Sequence, residues 1–210
     1  MRDWDACYRN QDTPWDRGGP APPLLELLEN SRKTHFAEGP VLVPGCGSGH
    51  DVRALADARI QAHGLDISPC AVEIATSLTK HPLASFSSGD FLDPAWQSTR
   101  QFQAMWEHTC FCAIHPSQRN QYAAAAASIL PKDTHLCGVF YIEPWEPGKE
   151  EGRPPYKTSV EEVILTLAPY FELLDGWVPQ RSYPGRENRE WLAIFRRNGE
   201  RSIAMNASLD

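Results

Sequence analysis

Apolar positions along this chain follow two periods. Val41 to Val43, Ile60 to Ile67, Ala84 to Phe91, Phe102 to Thr109 and His135 to Glu143 are short stretches rich in apolar and β-forming residues, the pattern of strands in a covered sheet. Between them apolar positions return every three to four residues. Val52, Leu55 and Ala56 share one face of a helix predicted from about Val52 to Ala58, and further helices are predicted over Pro69–Lys80, Pro116–Leu130 and Ser159–Tyr170. Ser68 stands where a helix cap belongs, with Pro69 in the first turn, where a missing N–H goes unmissed. Two closing strands are predicted near Phe171–Trp177 and Glu190–Phe195. This alternation predicts an α/β protein with a doubly wound, mostly parallel sheet and a β-rich end.

Composition narrows the picture to one domain over residues 1–210. A hydrophobic content of 41% with 10% aromatic residues fills one core, and no repeat or second core is evident. Residues 1–40 read as an arm or lid: the prolines of "DTPWDRGGPAPP" exclude regular helix there, whereas "LLELLENS" after them suits one. Residues 198–210 read as a flexible tail. A net charge of -7 without any Lys/Arg run argues against a nucleic-acid partner and for a small-molecule ligand. No apolar run approaches a membrane span and the N-terminus "MRDWDACYRN" is polar, so a cytoplasmic protein with no membrane partner is expected, as a monomer. The six cysteines lack paired metal-site spacing and read as buried free thiols, with Cys110 and Cys112 alternating in and out along an extended segment. No metal is expected.

Ligands of a doubly wound sheet bind at the C-terminal ends of its strands. The first strand ends in "VLVPGCGSGHDV", which brings backbone and a helix N-terminus close to whatever binds at Gly45, Cys46, Gly47 and Gly49. Asp66, followed by Ile67, ends the second strand at the spacing of about 20 residues expected of a ribose-binding carboxylate. Asp90 ends the third, placed for an adenine amino group, with Phe91 to pack against the ring. A dinucleotide fingerprint wants a third glycine where this chain has His50, so the NAD reading weakens and another nucleoside cofactor is indicated.

Six ordered motifs, "WDACYRNQDTPWDRG", "VLVPGCGSGHDV", "GLDISPCAVEIA", "GDFLD", "WEHTCFCAIHPSQR" and "GRPPYKTSVEEV", resemble the thiopurine methyltransferase-like family, and within it the halide/thiol methyltransferases. They span most of residues 4 to 165. The resemblance implies a Rossmann-like class I methyltransferase fold with an N-terminal lid and S-adenosylmethionine as cofactor. The implied reaction is in-line methyl transfer to a small soft nucleophile, a thiol or thione sulfur or a halide. The alternatives are selenium or tellurium oxyanions, a nitrogen or oxygen acceptor, or a cofactor-binding module without turnover.

Residue by residue, the resemblance places Trp4 and Trp15 in an arm over the cofactor, Trp15 beside the sulfonium. Gly45, Cys46, Gly47 and Gly49 would line the methionine portion, Asp66 and Ile67 the ribose, Asp90 and Phe91 the adenine. Glu107 would face the active-site side of the methionine portion, and Arg119, Tyr141 and Tyr156 would surround the acceptor. From the residues alone, Trp4 and Trp15 serve equally as core anchors, Glu107 as a cap or ion-pair partner, and Arg119 as a solvated cation. His108 and His115 read as ordinary hydrogen-bonded histidines without metal spacing, and neither is assigned a catalytic role. Val43 stands where wider methyltransferases often carry an acid, and "EPWEPGKEEGRPPY" is longer and more charged than in plant halide/thiol enzymes, which bears on the choice of acceptor.

Overall fold

The computed structural model describes residues 2–36, 39–146 and 152–199. The elements are α1 (Trp4–Arg9), α2 (Pro22–Leu28), a 3-10 turn (Ser31–Phe36), β1 (Val41–Pro44), α3 (His50–Asp57), β2 (Ala62–Asp66), α4 (Pro69–Ser77), β3 (Ala84–Ser88), α5 (Pro94–Gln97), β4 (Ala104–His108), α6 (Cys110–Ala113), α7 (Arg119–Ile129), β5 (His135–Tyr141), α8 (Val160–Leu167), β6 (Phe171–Trp177) and β7 (Glu190–Arg197). The seven strands form one sheet in the order β3-β2-β1-β4-β5-β7-β6. β1 to β5 run parallel, and β7 inserts antiparallel between β5 and β6.

The central strands are apolar throughout because helices cover both faces. Along β1, Leu42 points to the side where Met105, Tyr122, Phe140 and Phe195 pack. Val41 and Val43 point to the other, against Leu24, Leu27, Val52, Leu55 and Trp106. The alanines of α7, Ala123 and Ala125 to Ala127, are buried and let that helix lie close to the sheet. Ser68 caps α4 as expected, its hydroxyl accepting from the Ala71 amide at 3.1 Å.

Strand order reverses beside β1, whose neighbours are β2 and β4, and a crevice opens beyond the C-terminal ends of these strands. Every long predicted strand and helix is present. The additional short elements are α1, the 3-10 turn, α5 and α6, each too brief to show a period. The extended reading of Cys110 and Cys112 is corrected: both lie in α6, which starts because Thr109 takes a left-handed φ of 65° and turns the chain out of β4. Burial pushes both thiols up, Cys112 to about 12, so neither is a ready nucleophile. Of the expected tail, residues 200–210 lie outside the described residues.

Candidate active site

The turn after β1 requires glycine. Gly47 has a φ of 53°, and a Cβ there would fall 2.5 Å from the Tyr8 hydroxyl; Gly49 begins α3 at a φ of 80° and faces the Phe86 ring, 2.7 Å from where its Cβ would be. Asp66, buried at the end of β2, accepts from the Gly47 amide at 2.8 Å and from the Ser68 amide at 2.9 Å. Burial raises its pKa, partly offset by these amides. Beside it Ile67 is 49% exposed, an uncovered apolar face at the cavity wall. Asp90 is exposed and accepts from the Leu92 amide at 2.8 Å. Phe91 also lines the cavity, but its ring is buried edge-on against Tyr122, 5.3 Å between centroids, so little of its face is free.

The N-terminal arm lies across this turn and is fastened at both ends. Asp5 accepts from the Ser68 hydroxyl at 2.8 Å and the Cys70 amide at 3.0 Å, tying α1 to the start of α4, and these bonds hold its carboxyl below the usual range. Asp16 accepts from the Ser48 hydroxyl at 2.6 Å and meets His50 at 3.0 Å. Trp4 and Trp15 meet edge to face at 5.2 Å, and Trp15 donates to the Tyr8 hydroxyl at 3.2 Å. The Arg2 guanidinium lies 4.6 Å from the Trp15 ring centre, so this aromatic corner already accepts a cation.

Beyond β4 the chain departs from expectation. Glu107 is fully buried and points away from the cavity, accepting from the Phe111 amide at 2.8 Å and from the Tyr122 hydroxyl. Burial lifts its pKa to about 7 despite those donors. It anchors α6 from behind, which corrects the placement of Glu107 at the methionine portion. Arg119 is likewise buried and absent from the cavity wall. Its guanidinium donates to Glu162 at 2.5 Å and to the Lys157 carbonyl at 3.0 Å, and packs over Phe111, so it positions the 156–157 segment instead of touching an acceptor.

The cavity wall at β4 is built from His108, Thr109 and Cys110. His108 Nδ1 meets the buried Asp51 carboxylate at 2.8 Å, and the same carboxylate accepts from the Trp106 indole at 2.8 Å and the Ala21 amide at 2.7 Å. Burial works against the Asp51 charge, but these donors outweigh it and hold the carboxyl below the usual range. Tyr183, stacked on the His108 ring, lines the cavity together with Arg186, Tyr141 and Tyr156. The Arg186 guanidinium, buried and paired with the buried Glu190 carboxylate at 3.4 Å, lies 4.6 Å from the Tyr141 ring centre and 5.4 Å from that of Tyr183, so this wall is aromatic and backed by an ion pair. Tyr183 donates to the Gly19 carbonyl at 2.5 Å, joining this wall to the arm.

Tyr8, Asp16, Asp51, Tyr183 and Arg186 complete the site without having been singled out from sequence, and His108, read from sequence as an ordinary hydrogen-bonded histidine, lines it as well. Asp51 had a signal, an acid directly inside the glycine motif. Tyr183 and Arg186 sit in an irregular segment between strands, where no period marks them.

These walls enclose about 1060 Å³, just above the roughly 300–1,000 Å³ typical of small-molecule sites. The space suits a nucleoside cofactor and an acceptor together. The donor set fits S-adenosylmethionine in particular: an aromatic corner that takes a cation, a carboxylate at the end of β2 and an exposed apolar side chain beside it.

Comparison with known proteins agrees. The fold matches the N-methyltransferase NodS from Bradyrhizobium japonicum WM9 in complex with S-adenosyl-l-homocysteine, with a TM-score of 0.67 at 18% identity over 93% of this chain and 98% of that one. It also matches a structure solved in work on conversion of a disulfide bond into a thioacetal group during echinomycin biosynthesis, with a TM-score of 0.73 at 22% identity over 93% of this chain and 92% of that one. Fold and site together define an S-adenosylmethionine-dependent methyltransferase of class I. Within that class, the family model for thiopurine S-methyltransferase (TPMT) matches residues 1–175, and the chain belongs to this family. It is 32% identical to thiocyanate methyltransferase 1 of Arabidopsis thaliana over 92% of this chain and 84% of that protein. To probable thiol methyltransferase 2 of the same plant it is 34% identical, over 79% of this chain and 71% of the relative.

Proposed function

We propose that this methyltransferase acts on small soft nucleophiles: thiols, thione sulfur, thiocyanate and halides. The observation that carries the reading is the cation-accepting corner of Trp4 and Trp15 standing on the same cavity as the aromatic wall at Arg186. One wall suits a sulfonium and the other, aromatic and backed by the Arg186–Glu190 pair, a soft polarisable acceptor. The names of the plant relatives support sulfur as the acceptor atom.

S-adenosylmethionine, when bound, supplies an electrophilic methyl carbon on a positively charged sulfur. The chain's residues position and desolvate. Gly45, Cys46, Gly47 and Gly49 would hold the methionine portion, Asp66 and Ile67 the ribose, and Asp90 with the free edge of Phe91 the adenine. Trp4 and Trp15, held down by Asp5 and Asp16, exclude water from the reacting atoms, and a desolvated anion is a stronger nucleophile. Tyr141 and Tyr156 shape the acceptor's berth, and Arg186, paired with Glu190, packs on the Tyr141 ring there. In-line positioning of a nucleophile at near-attack distance supplies much of the rate without a covalent enzyme intermediate.

The protein is read as a monomer working in the cytosol, a compartment in which its six free cysteines stay reduced. No described helix is long and apolar enough to cross a membrane. The test is incubation with S-adenosylmethionine and, separately, bisulfide, thiocyanate, iodide and an aryl thiol, with the methylated product identified by mass. Products carrying methyl on sulfur or iodine support the reading. Cofactor binding without turnover of any of them contradicts it.

A further inference from the structure

We propose that Asp51 and His108 form a proton-accepting pair that deprotonates neutral thiol acceptors, so that this enzyme does not depend on acceptors that arrive already ionised. The inference rests on the sulfur-methylation reading above and adds a catalytic group to it.

The tautomer of His108 follows from its partner. An ionised carboxylate only accepts hydrogen bonds, so at 2.8 Å from Asp51 the proton must sit on Nδ1. Asp51 is held ionised by three donors, the His108 ring, the Trp106 indole and the Ala21 amide. The neutral imidazole therefore carries its lone pair on Nε2. Among the described residues that nitrogen has no hydrogen-bond partner, and it is covered in this structure, while other atoms of the same ring line the cavity. A buried polar atom left unpaired costs about 1–3 kcal/mol, a cost that a donor arriving with the substrate would relieve. Asp51 accounts for the ring's orientation; it does not account for the bare Nε2.

The surroundings favour the same role. His108 ends β4, and the next residue, Thr109, is β-branched yet left-handed at a φ of 65°. Such strain persists where the surrounding structure holds it and clusters at working sites. Tyr183 stacks on the imidazole at 6.1 Å and 26° between planes, fixing the ring against rotation. The charged and titratable groups that face the ring are Asp51 on α3, Glu107 on β4 itself and Tyr183 between β6 and β7, and Asp16, Arg186 and Glu190 act in turn on Tyr183. Asp51 alone bonds to the imidazole, and its charge stabilises the imidazolium formed when the ring takes a proton.

In the step, the S–H proton of the acceptor passes to Nε2. The sulfur electron pair forms the new bond to the methyl carbon, the bond from that carbon to the sulfonium breaks, and neutral S-adenosylhomocysteine leaves. The proton then returns to solvent from Nε2. An alkyl thiol is mostly protonated at neutral pH and gains from this base, whereas thiocyanate is already an anion and does not.

The test compares an alkyl thiol with thiocyanate in the wild type and in His108→Asn, whose amide can still donate to Asp51 but offers no base. A positioned base is worth about a hundredfold or more, so the ratio of kcat/KM for the thiol to that for thiocyanate should fall by about that factor in the variant. In the wild type, kcat/KM for the thiol should reach a plateau well below the thiol's own pKa, its acid limb matching the His108 titration followed by 15N NMR in the cofactor-free protein. In the variant it should climb tenfold per pH unit up to the thiol's pKa. If the wild type climbs in that same way, or NMR places the proton on Nε2, the inference is overturned. If the wild type turns over no sulfur acceptor, thiocyanate included, the sulfur-methylation reading falls and takes this inference with it.

Discussion

At the scale of single residues, Asp66 and Glu107 show how alike two strand-end carboxylates look in sequence and how different their environments are. Asp66 takes two backbone amides and still lines the cavity. Hydrogen bonds to a charged group are worth about 1.5–3 kcal/mol, so Asp66→Ala should weaken S-adenosylmethionine binding roughly ten- to a hundredfold by calorimetry. Unchanged affinity would remove Asp66 from the site. Glu107 faces the core, and its pKa is raised from 4.5 to about 7 by burial. Between those values the folded protein holds a proton that the unfolded chain has released, so through this group stability is full below about pH 4.5 and is lost as pH rises through about 7. Glu107→Gln should lessen that loss, read from urea unfolding at pH 5 and pH 8, and an offset that is the same at both would contradict it. Sequence located both carboxylates at strand ends, because β-periodicity does that. It could not say which one turned inward, since the side chain's direction depends on the αL step at Thr109 that no composition signals.

At the scale of elements, the glycine turn and the arm belong together. Gly47 is glycine because Tyr8 of the arm stands on it, and Gly49 because Phe86 of β3 does. A left-handed conformation costs an ordinary residue about 1–2 kcal/mol, and the Phe86 contact adds to it, so Gly49→Ala should lower the unfolding free energy by at least that amount. A neutral outcome by urea denaturation would mean that the turn relaxes freely. The arm is held at its far end by Asp16 on Ser48 and His50. At about 1 kcal/mol per hydrogen bond, Asp16→Ala should weaken cofactor binding severalfold and, by loosening the arm, speed tryptic cleavage at the exposed Arg9 and Arg17, while the midpoint of sheet unfolding moves little. Equal protease resistance in variant and wild type would mean that Asp16 does not latch the arm. The major strands and helices were legible because each is long enough to show its period. α1 and α6 were not, at six and four residues. Each is set instead by a local device, the Asp3 cap on the Ala6 amide in α1 and the Thr109 turn before α6.

At the scale of the whole molecule, function follows from where the sheet reverses its order. β1 and β4 part there, their loops supply the glycine turn on one side and His108 to Ala113 on the other, and the arm closes across both. Of the residues proposed to hold the cofactor, Gly45 to Gly49, Asp66 and Asp90 could be picked out in sequence because they fall at strand ends with fixed spacing, and the structure brings them to one cavity, while Glu107 lies outside it. Around the proposed acceptor berth, Tyr141 and Tyr156 were named from the family resemblance and line the cavity, whereas Tyr183 and Arg186 were not, because they arrive from an irregular connection between two antiparallel strands that reaches the arm through the Tyr183 bond to the Gly19 carbonyl. An aromatic wall backed by an ion pair favours soft, polarisable anions over hard, strongly hydrated ones. The most direct test of that claim is the kcat/KM ratio for a matched pair, thiophenol against phenol, measured as S-adenosylhomocysteine release with the product mass identified. The account predicts methyl transfer to sulfur at least about a hundredfold faster than to oxygen, the size of a typical single catalytic contribution; equal or faster transfer to oxygen would contradict it.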